Sequence, residues 1–312
     1  IFLLENLLKN TDWREALARG CAEILEGHWA TDLLTSSHRS AIEELWPHQI
    51  QGIAQSLTLL ETQGSVLLAD ATGSGKTKEG SWLVRLAFNR MMRKGGYSKD
   101  FLLPILTCPA AVVEHWGESL NSIGAPAQIV SHGKLSNPKS AKSKREVESV
   151  QRASIIGIDE AHNFYHRNSD RTKRLGQHIA ESAMLFTATP INREFSDLFR
   201  VMDLLGKDNF DERTWKHLYS LENRVNSPNE KIRREARGEA KSIVQKFMVR
   251  RTRNQLNSIA DADPERYRME NGRIAKYPDY MVEWYELTSN KSDIEIIQQI
   301  KKLVSEITGI SR

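Results

Sequence analysis

The sequence predicts an α/β fold, a parallel sheet flanked by helices, with a helical extension before it and a mostly helical segment after it. Three observations predict this. Short apolar runs with β-branched members, at residues 66–69, 105–108, 129–130, 155–158 and 184–187, alternate with longer amphipathic stretches, as βαβ units do. The first run leads directly into a Gly-rich turn and a helix. Beyond residue 195 the strand signal fades and charged helical patterns replace it.

Taken in order, residues 1–45 read as two or three helices. Leu3, Leu4, Leu7 and Leu8 recur at helical spacing, and Ala16, Leu17, Ile24 and Leu25 continue the period. Residues 46–205 hold the five predicted strands, with a helix over 78–94 that Gly95-Gly96 stops. Residues 195–205 are helical, and 230–253 form a long polar helical pattern carrying nine Lys or Arg residues. Residues 254–281 look irregular, with turn signals at Asp263-Pro264 and Asn271-Gly272. A further strand at 282–287 and a last helix over 293–307 complete the reading. The expected domains are therefore 1–45, 46–205 and 206–312.

Composition narrows the function classes. The 312 residues are 39% hydrophobic and 27% charged, with a mean hydropathy of −0.50, and suffice for about two domains of roughly 150 residues each. No apolar run is long enough for a spanning helix, and the opening Ile1-Phe2-Leu3-Leu4-Glu5 lacks the basic start of a signal peptide, so no membrane association is expected. Cys21 and Cys108 cannot build a disulfide framework and fit a reducing compartment. The nine histidines show no metal-ligand spacing, so no structural zinc is expected. A net charge of +4 permits an acidic partner without requiring one. The chain starts with Ile, and is expected to be a piece of something longer.

The sharpest motif is Leu67-Leu68-Ala69-Asp70-Ala71-Thr72-Gly73-Ser74-Gly75-Lys76-Thr77. Gly73 and Gly75 let the backbone bend around Ser74 so that N–H groups converge on phosphate oxygens, and the following helix adds its positive end. Lys76 is placed to neutralise β- and γ-phosphate charge, and the Thr77 hydroxyl to ligate Mg²⁺. Asp70 stands where the generic phosphate loop has Gly. Ile155-Ile156-Gly157-Ile158-Asp159-Glu160-Ala161-His162 puts two acids at the tip of a buried strand, the end that faces the ligand crevice in a parallel sheet. Asp159 is the expected Mg²⁺ partner through water, and Glu160 the group that activates the attacking water. Alone, Asp-Glu after a strand is as often a plain helix start; the two motifs support each other. Thr187 and Thr189, at the end of the fifth run, are placed to bond toward His162 and sense the nucleotide.

In this order the motifs resemble the SWI/SNF-like ATPases of helicase superfamily two. Leu45-Trp46-Pro47-His48-Gln49-Ile50-Gln51-Gly52-Ile53 is similar to that family's adenine-reading segment, which implies adenine contacts from Gln49 and His48 and a stacking face at Trp46. Residues 68–77 fit its L-A-D-x-x-G-x-G-K-T, Asp70 included. Cys108-Pro109 with Trp116, the DEAH box at 159–162, Thr187-Ala188-Thr189-Pro190-Ile191-Asn192, and Phe247-Met248-Val249-Arg250-Arg251 are similar to further blocks. The resemblance covers about residues 43–290. It implies a RecA-like first motor lobe with a helical protrusion, ATP and Mg²⁺ as ligands, and double-stranded DNA as partner. It also implies a second RecA-like lobe beyond Arg312, and hence poor hydrolysis by this piece alone. Ala71-Thr72-Gly73-Ser74, His48 and Ala188 depart from the family's usual residues and point to a divergent, prokaryotic member. The location expected is then cytoplasmic, or nuclear for a eukaryote.

For DNA, the resemblance implies contacts from Pro109, from Ser131, His132 and Lys134, and from Arg250 and Arg251. Lys139, Lys142, Lys144, Arg145 and Arg152 add a basic stretch opposed by Glu146 and Glu148. A motor indifferent to sequence grips phosphates, which such groups suit. Two alternatives stay open: a strand-separating helicase or restriction-type motor subunit, and a non-motor ATP-binding scaffold docked through residues 1–45.

Overall fold

In the computed structural model, which describes residues 45–95, 103–166, 168–191, 195–206, 209–278, 295–301 and 303, six strands form one sheet in the order β3-β2-β4-β5-β1-β6. They are β1 (Ser65–Leu68), β2 (Ile105–Cys108), β3 (Gln128–Ser131), β4 (Ile155–Asp159), β5 (Ser182–Phe186) and β6 (Met248–Val249), and every pairing is parallel. β1 and β2 are buried along their whole length, which is why they read as unbroken apolar runs rather than as alternating ones.

Successive side chains of each strand enter two separate cores. Val66 and Leu68, Leu106 and Cys108, and Met184 and Phe186 face one layer, built from helices α1 (Pro47–Gln63), α2 (Lys76–Gly95) and α3 (Val113–Ser122). Leu67, Ile105, Ile156, Ile158 and Leu185 face the other. There they meet short α4 (His132–Ser136), α5 (Ala141–Arg152), α6 (Asp170–Leu175), α7 (Asp197–Leu204), α8 (Glu212–Arg224) and α9 (Glu230–Gln245). The register brings the C-terminal ends of three strands level, since Leu68 and Asp159 both lie beside Phe186. The phosphate-loop turn, the Asp159-Glu160 pair and Thr187 therefore leave the sheet from one edge.

The helical pattern over 230–253 is shorter than the sequence suggests. α9 stops at Gln245, and Met248–Val249 pair with Leu67–Leu68 as an added edge strand. Tertiary pairing overrides a helical pattern here. The sheet thus takes its sixth strand from well beyond residue 205, where the sequence reading closed the lobe. The stretch expected to be irregular contains α10 (Arg253–Ala262), capped by Thr252 and Gln255 in a reciprocal capping box, and a 3₁₀ turn, Pro264–Tyr267.

The chain divides into two compact units, Ile1–Lys276 and Tyr277–Arg312. In the second, residues 295–301 and 303 are helical, with Ile296, Ile297, Ile300 and Leu303 exposed. The helices expected within 1–44 and the strand expected at 282–287 lie outside the described residues. Among those described, no helix is long and apolar enough to cross a membrane.

Candidate functional site: a phosphate loop on a strand edge

The loop after β1 turns on Gly73 and Gly75, whose φ angles of +86° and +89° are accessible at little cost only without a side chain. A Cβ on Gly75 would also overlap the Gln49 side-chain amide. Lys76 opens α2 with its ammonium folded back over the loop, donating to the carbonyls of Asp70 (3.0 Å) and Ala71 (3.1 Å). Burial lowers its pKa, while the nearby charges of Asp70, Glu160, Glu79 and Asp159 work to keep it protonated. Thr77 follows, half-buried in the first turn of the helix.

Opposite the loop, Asp159 ends β4. Its Oδ2 accepts from the Trp116 indole N–H at 2.7 Å and its Oδ1 from the Glu160 backbone N–H at 2.9 Å. Burial raises the Asp159 pKa, and these two donors pull against that rise. Trp116, named in the sequence only as part of a block with Cys108-Pro109, is almost fully buried, and its polar end fixes the carboxylate. Glu160 is the one non-glycine residue with positive φ among those described, at φ +46°. A left-handed glutamate stores roughly 1–3 kcal/mol of strain, and such strain collects at functional sites. It lifts the side chain out of the sheet, where its carboxylate stays 44% exposed, 3.2 Å from His162 Nδ1. The same Nδ1 lies 3.2 Å from Thr187 Oγ1, which in turn accepts the Thr189 N–H. The structure therefore brings Glu160, His162, Thr187 and Thr189 into one chain of contacts.

Beneath the loop lies a group that sequence reasoning did not assemble. Asp70 and Glu79 are wholly buried, and Arg251, arriving from β6, lies between them. Its Nε donates to Asp70 at 2.9 Å, its backbone N–H to Asp70 Oδ1 at 2.6 Å, and an Nη to Glu79 at 3.3 Å; a second Nη reaches the His48 carbonyl. One guanidinium cannot neutralise two carboxylates, and burial pushes Glu79 up to about 8 against the pull of Arg251. Gly52 makes the room, since a Cβ there would overlap Arg251 and Glu79. The departure from the generic loop at Asp70 thus has a physical cause, a counter-charge from β6.

Gln49 and His48, expected to read adenine, both bond to the phosphate loop. Gln49 Nε2 donates to the Ser74 carbonyl at 3.0 Å, and its Oε1 accepts the Trp46 N–H at 2.9 Å. His48 Nε2 lies 3.1 Å from the same carbonyl. One face of the Trp46 ring is taken by Tyr267, to which it lies parallel, centroids 5.5 Å apart.

The residues expected at DNA fall into two groups. Arg250 is exposed and Pro109 and Ser131 are half-buried. His132 is buried edge-on to Phe164, and burial holds its pKa down at about 4, so it carries no charge for a phosphate. Lys134 is paired with the buried Glu146 at 2.8 Å, and Arg251 is committed to Asp70 and Glu79. His132 and Arg251 are thus committed to the interior, and Lys134, its side chain 39% exposed, to an ion pair. With Glu146 turned inward, α5 presents Lys142, Arg145 and Arg152 at one-face spacing, all exposed. Cys108 is buried, and burial pushes its thiol to about 12, so it is inert.

The SNF2-related domain family matches residues 128–302, a stretch that includes Asp159–His162, Thr187–Thr189 and Arg250–Arg251 but begins after the phosphate loop. An uncharacterized ATP-dependent helicase, YqhH, of Bacillus subtilis is 26% identical over 226 residues, 67% of this chain and 36% of that protein. A Caenorhabditis elegans homologue of a SWI/SNF-related, matrix-associated, actin-dependent regulator of chromatin (subfamily A-like protein 1) is 26% identical over 56% of this chain and 26% of its own length. In structure, the Sulfolobus solfataricus SWI2/SNF2 ATPase core in complex with dsDNA superposes with a TM-score of 0.52 at 19% identity, over 70% of this chain and 46% of that one. The RecA-like fold is thereby shown. The chain spans about a quarter to a third of the length of these curated relatives.

Proposed function

The chain belongs to the SNF2-related domain family, and on that premise we propose that it is the first motor lobe of an ATP-hydrolysing translocase on double-stranded DNA. One observation carries the ATP part: Lys76, after β1, and Asp159 and Glu160, after β4, leave the same edge of the sheet on either side of β5, close enough for their charges to act on each other. In this reading the N–H groups around Gly73–Gly75 and the Lys76 ammonium hold the β- and γ-phosphates. Lys76 exchanges its two loop carbonyls for phosphate oxygens, which leaves the loop geometry intact. Glu160, half-exposed and strained, orients the attacking water and accepts its proton. His162 and Thr187 lie where a change at Glu160 passes to the Thr189 segment.

Mg²⁺ fits the donors present. Thr77 and Asp159 offer hard oxygens that would hold the ion, and the Trp116 and Glu160 N–H groups would keep the Asp159 carboxylate in place for it. When bound, the ion neutralises charge on the transferring phosphoryl group.

For DNA, the exposed Lys142, Arg145 and Arg152 of α5, with Lys139 just before it and Arg250 elsewhere, support a grip on phosphates that ignores sequence. The solved relative's complex with dsDNA supports the same partner. The test is ATP turnover by the full-length protein with and without linear duplex. Stimulation by duplex above single strand, abolished in Glu160→Gln, supports the reading. Turnover indifferent to DNA refutes the translocase part, and turnover that survives Glu160→Gln refutes the assigned chemistry.

A further inference from the structure

Tyr267 stands 219 positions from His48 in sequence, yet its hydroxyl meets that residue twice, at the His48 N–H (3.1 Å) and at Nδ1 (3.0 Å). The other ring nitrogen fixes the direction of both bonds. Nε2 lies 3.1 Å from the Ser74 carbonyl, which can only accept, so Nε2 carries the hydrogen. A neutral imidazole then has a bare Nδ1, and the Tyr267 O–H donates to it while accepting the His48 N–H. The ring is neutral because burial lowers its pKa. The result is a directed relay: Tyr267 O–H to Nδ1, Nε2–H to the Ser74 carbonyl, with the Gln49 amide donating to the same oxygen.

We propose that Tyr267 is a positioning residue for the phosphate loop, orienting through His48 the peptide that joins Ser74 to Gly75. In a trans peptide the C=O and the next N–H point in opposite directions. A Ser74 carbonyl drawn outward by two donors therefore turns the Gly75 N–H into the loop. Tyr267 is itself held firmly. It is buried, its ring lies parallel to Trp46 and nearly so to His48, and its carbonyl accepts the Ala275 N–H at 2.8 Å. The segment after β6 thus sets loop geometry from a distance, without touching phosphate.

The inference rests on residues 70–77 being a phosphate site, and its test separates the two levels. Wild type, Lys76→Ala and Tyr267→Phe are titrated with Mg-ATP and with magnesium tripolyphosphate, which has no base. Tyr267→Phe keeps the ring stack and removes one oxygen. Of the two hydrogen bonds lost, the one to Nδ1 feeds the relay, so both ligands should weaken by the same factor, about 2- to 10-fold, the worth of that neutral bond. Imidazole ¹⁵N spectra give a second readout that a merely structural role leaves still: wild-type His48 should be the Nε2–H tautomer, with the Nδ1 signal moving in Tyr267→Phe. A loss seen with ATP and not with tripolyphosphate makes Tyr267 a base contact and overturns the relay. Unchanged binding of both ligands, or an unmoved Nδ1 signal, overturns it too. A wild type that binds neither ligand, like Lys76→Ala, overturns the phosphate-site reading and the relay with it.

Discussion

Replacing Arg251 by Met tests the buried charges beneath the loop. Methionine keeps much of the arginine stem's packing and removes the guanidinium. What remains is Asp70 and Glu79, both without solvent exposure, and a His48 carbonyl deprived of a donor. Breaking a buried pair from one side costs about 3–5 kcal/mol, because the charge left behind is neither solvated nor matched. For a unit of this size each kcal/mol moves the midpoint by roughly 2–4 °C, so the variant should melt at least about 6 °C lower at pH 7.5. Asp70→Asn combined with Arg251→Met should recover part of the loss, since the pair is removed together. Thermal unfolding followed by circular dichroism reads all of this. A single variant within 2 °C of wild type, or a double variant no better than the single, would refute the claim that these charges depend on one another.

Glu79→Gln addresses the same group from the acid side. Folded Glu79 holds its proton up to about pH 8 and the unfolded residue only to about 4.5, so the folded state carries the extra proton across that window and stability falls as pH rises through it. The variant should flatten the fall in melting temperature between pH 5 and pH 8; a slope equal to wild type's counts against the assignment. Gly52→Ala should cost about 1–3 kcal/mol, the range for overpacking, because the added carbon meets Arg251 and Glu79; an alanine variant as stable as wild type in urea titration would mean that the helix shifts freely. Replacing Lys142, Arg145 and Arg152 by Ala should lower the slope of log affinity against log salt for duplex by roughly 0.9 for each DNA phosphate no longer neutralised; an unchanged slope takes α5 out of the DNA surface.

The strands and the loop were legible because fully buried parallel strands leave unbroken apolar runs, and because phosphate chemistry demands a particular Gly-x-Gly-Lys-Thr spacing. The site residues that escaped are those whose partners are remote in sequence. Trp116 reads as an apolar ring, and nothing local says that its N–H meets Asp159. Arg251 reads as a cation for a phosphate, and its burial beside Asp70 follows only from the pairing of Met248–Val249 with β1. Two residues make too short a run for any periodicity to register. The start of α10 was visible, in contrast, as Thr252 followed three places on by Gln255, a cap that the turn signals further along obscured. Tyr267 has no motif at all; only the fold brings it to His48.

The sixth strand also has a consequence for how the chain is made. During synthesis β1 emerges long before residues 248–249, and until they arrive one side of it is an open edge, a template for pairing with other chains. The hydrogen bonds that close that edge, from Leu67 to Phe247, Ala69 to Val249 and Ala71 to Arg251, are few and depend on nearly two hundred intervening residues. Asp70 waits equally long for its counter-ion. A nascent chain halted before residue 247 therefore exposes both a sticky edge and an unmatched buried acid, so the helical segment between β5 and β6 has to be completed before the nucleotide-binding half can be safe from aggregation.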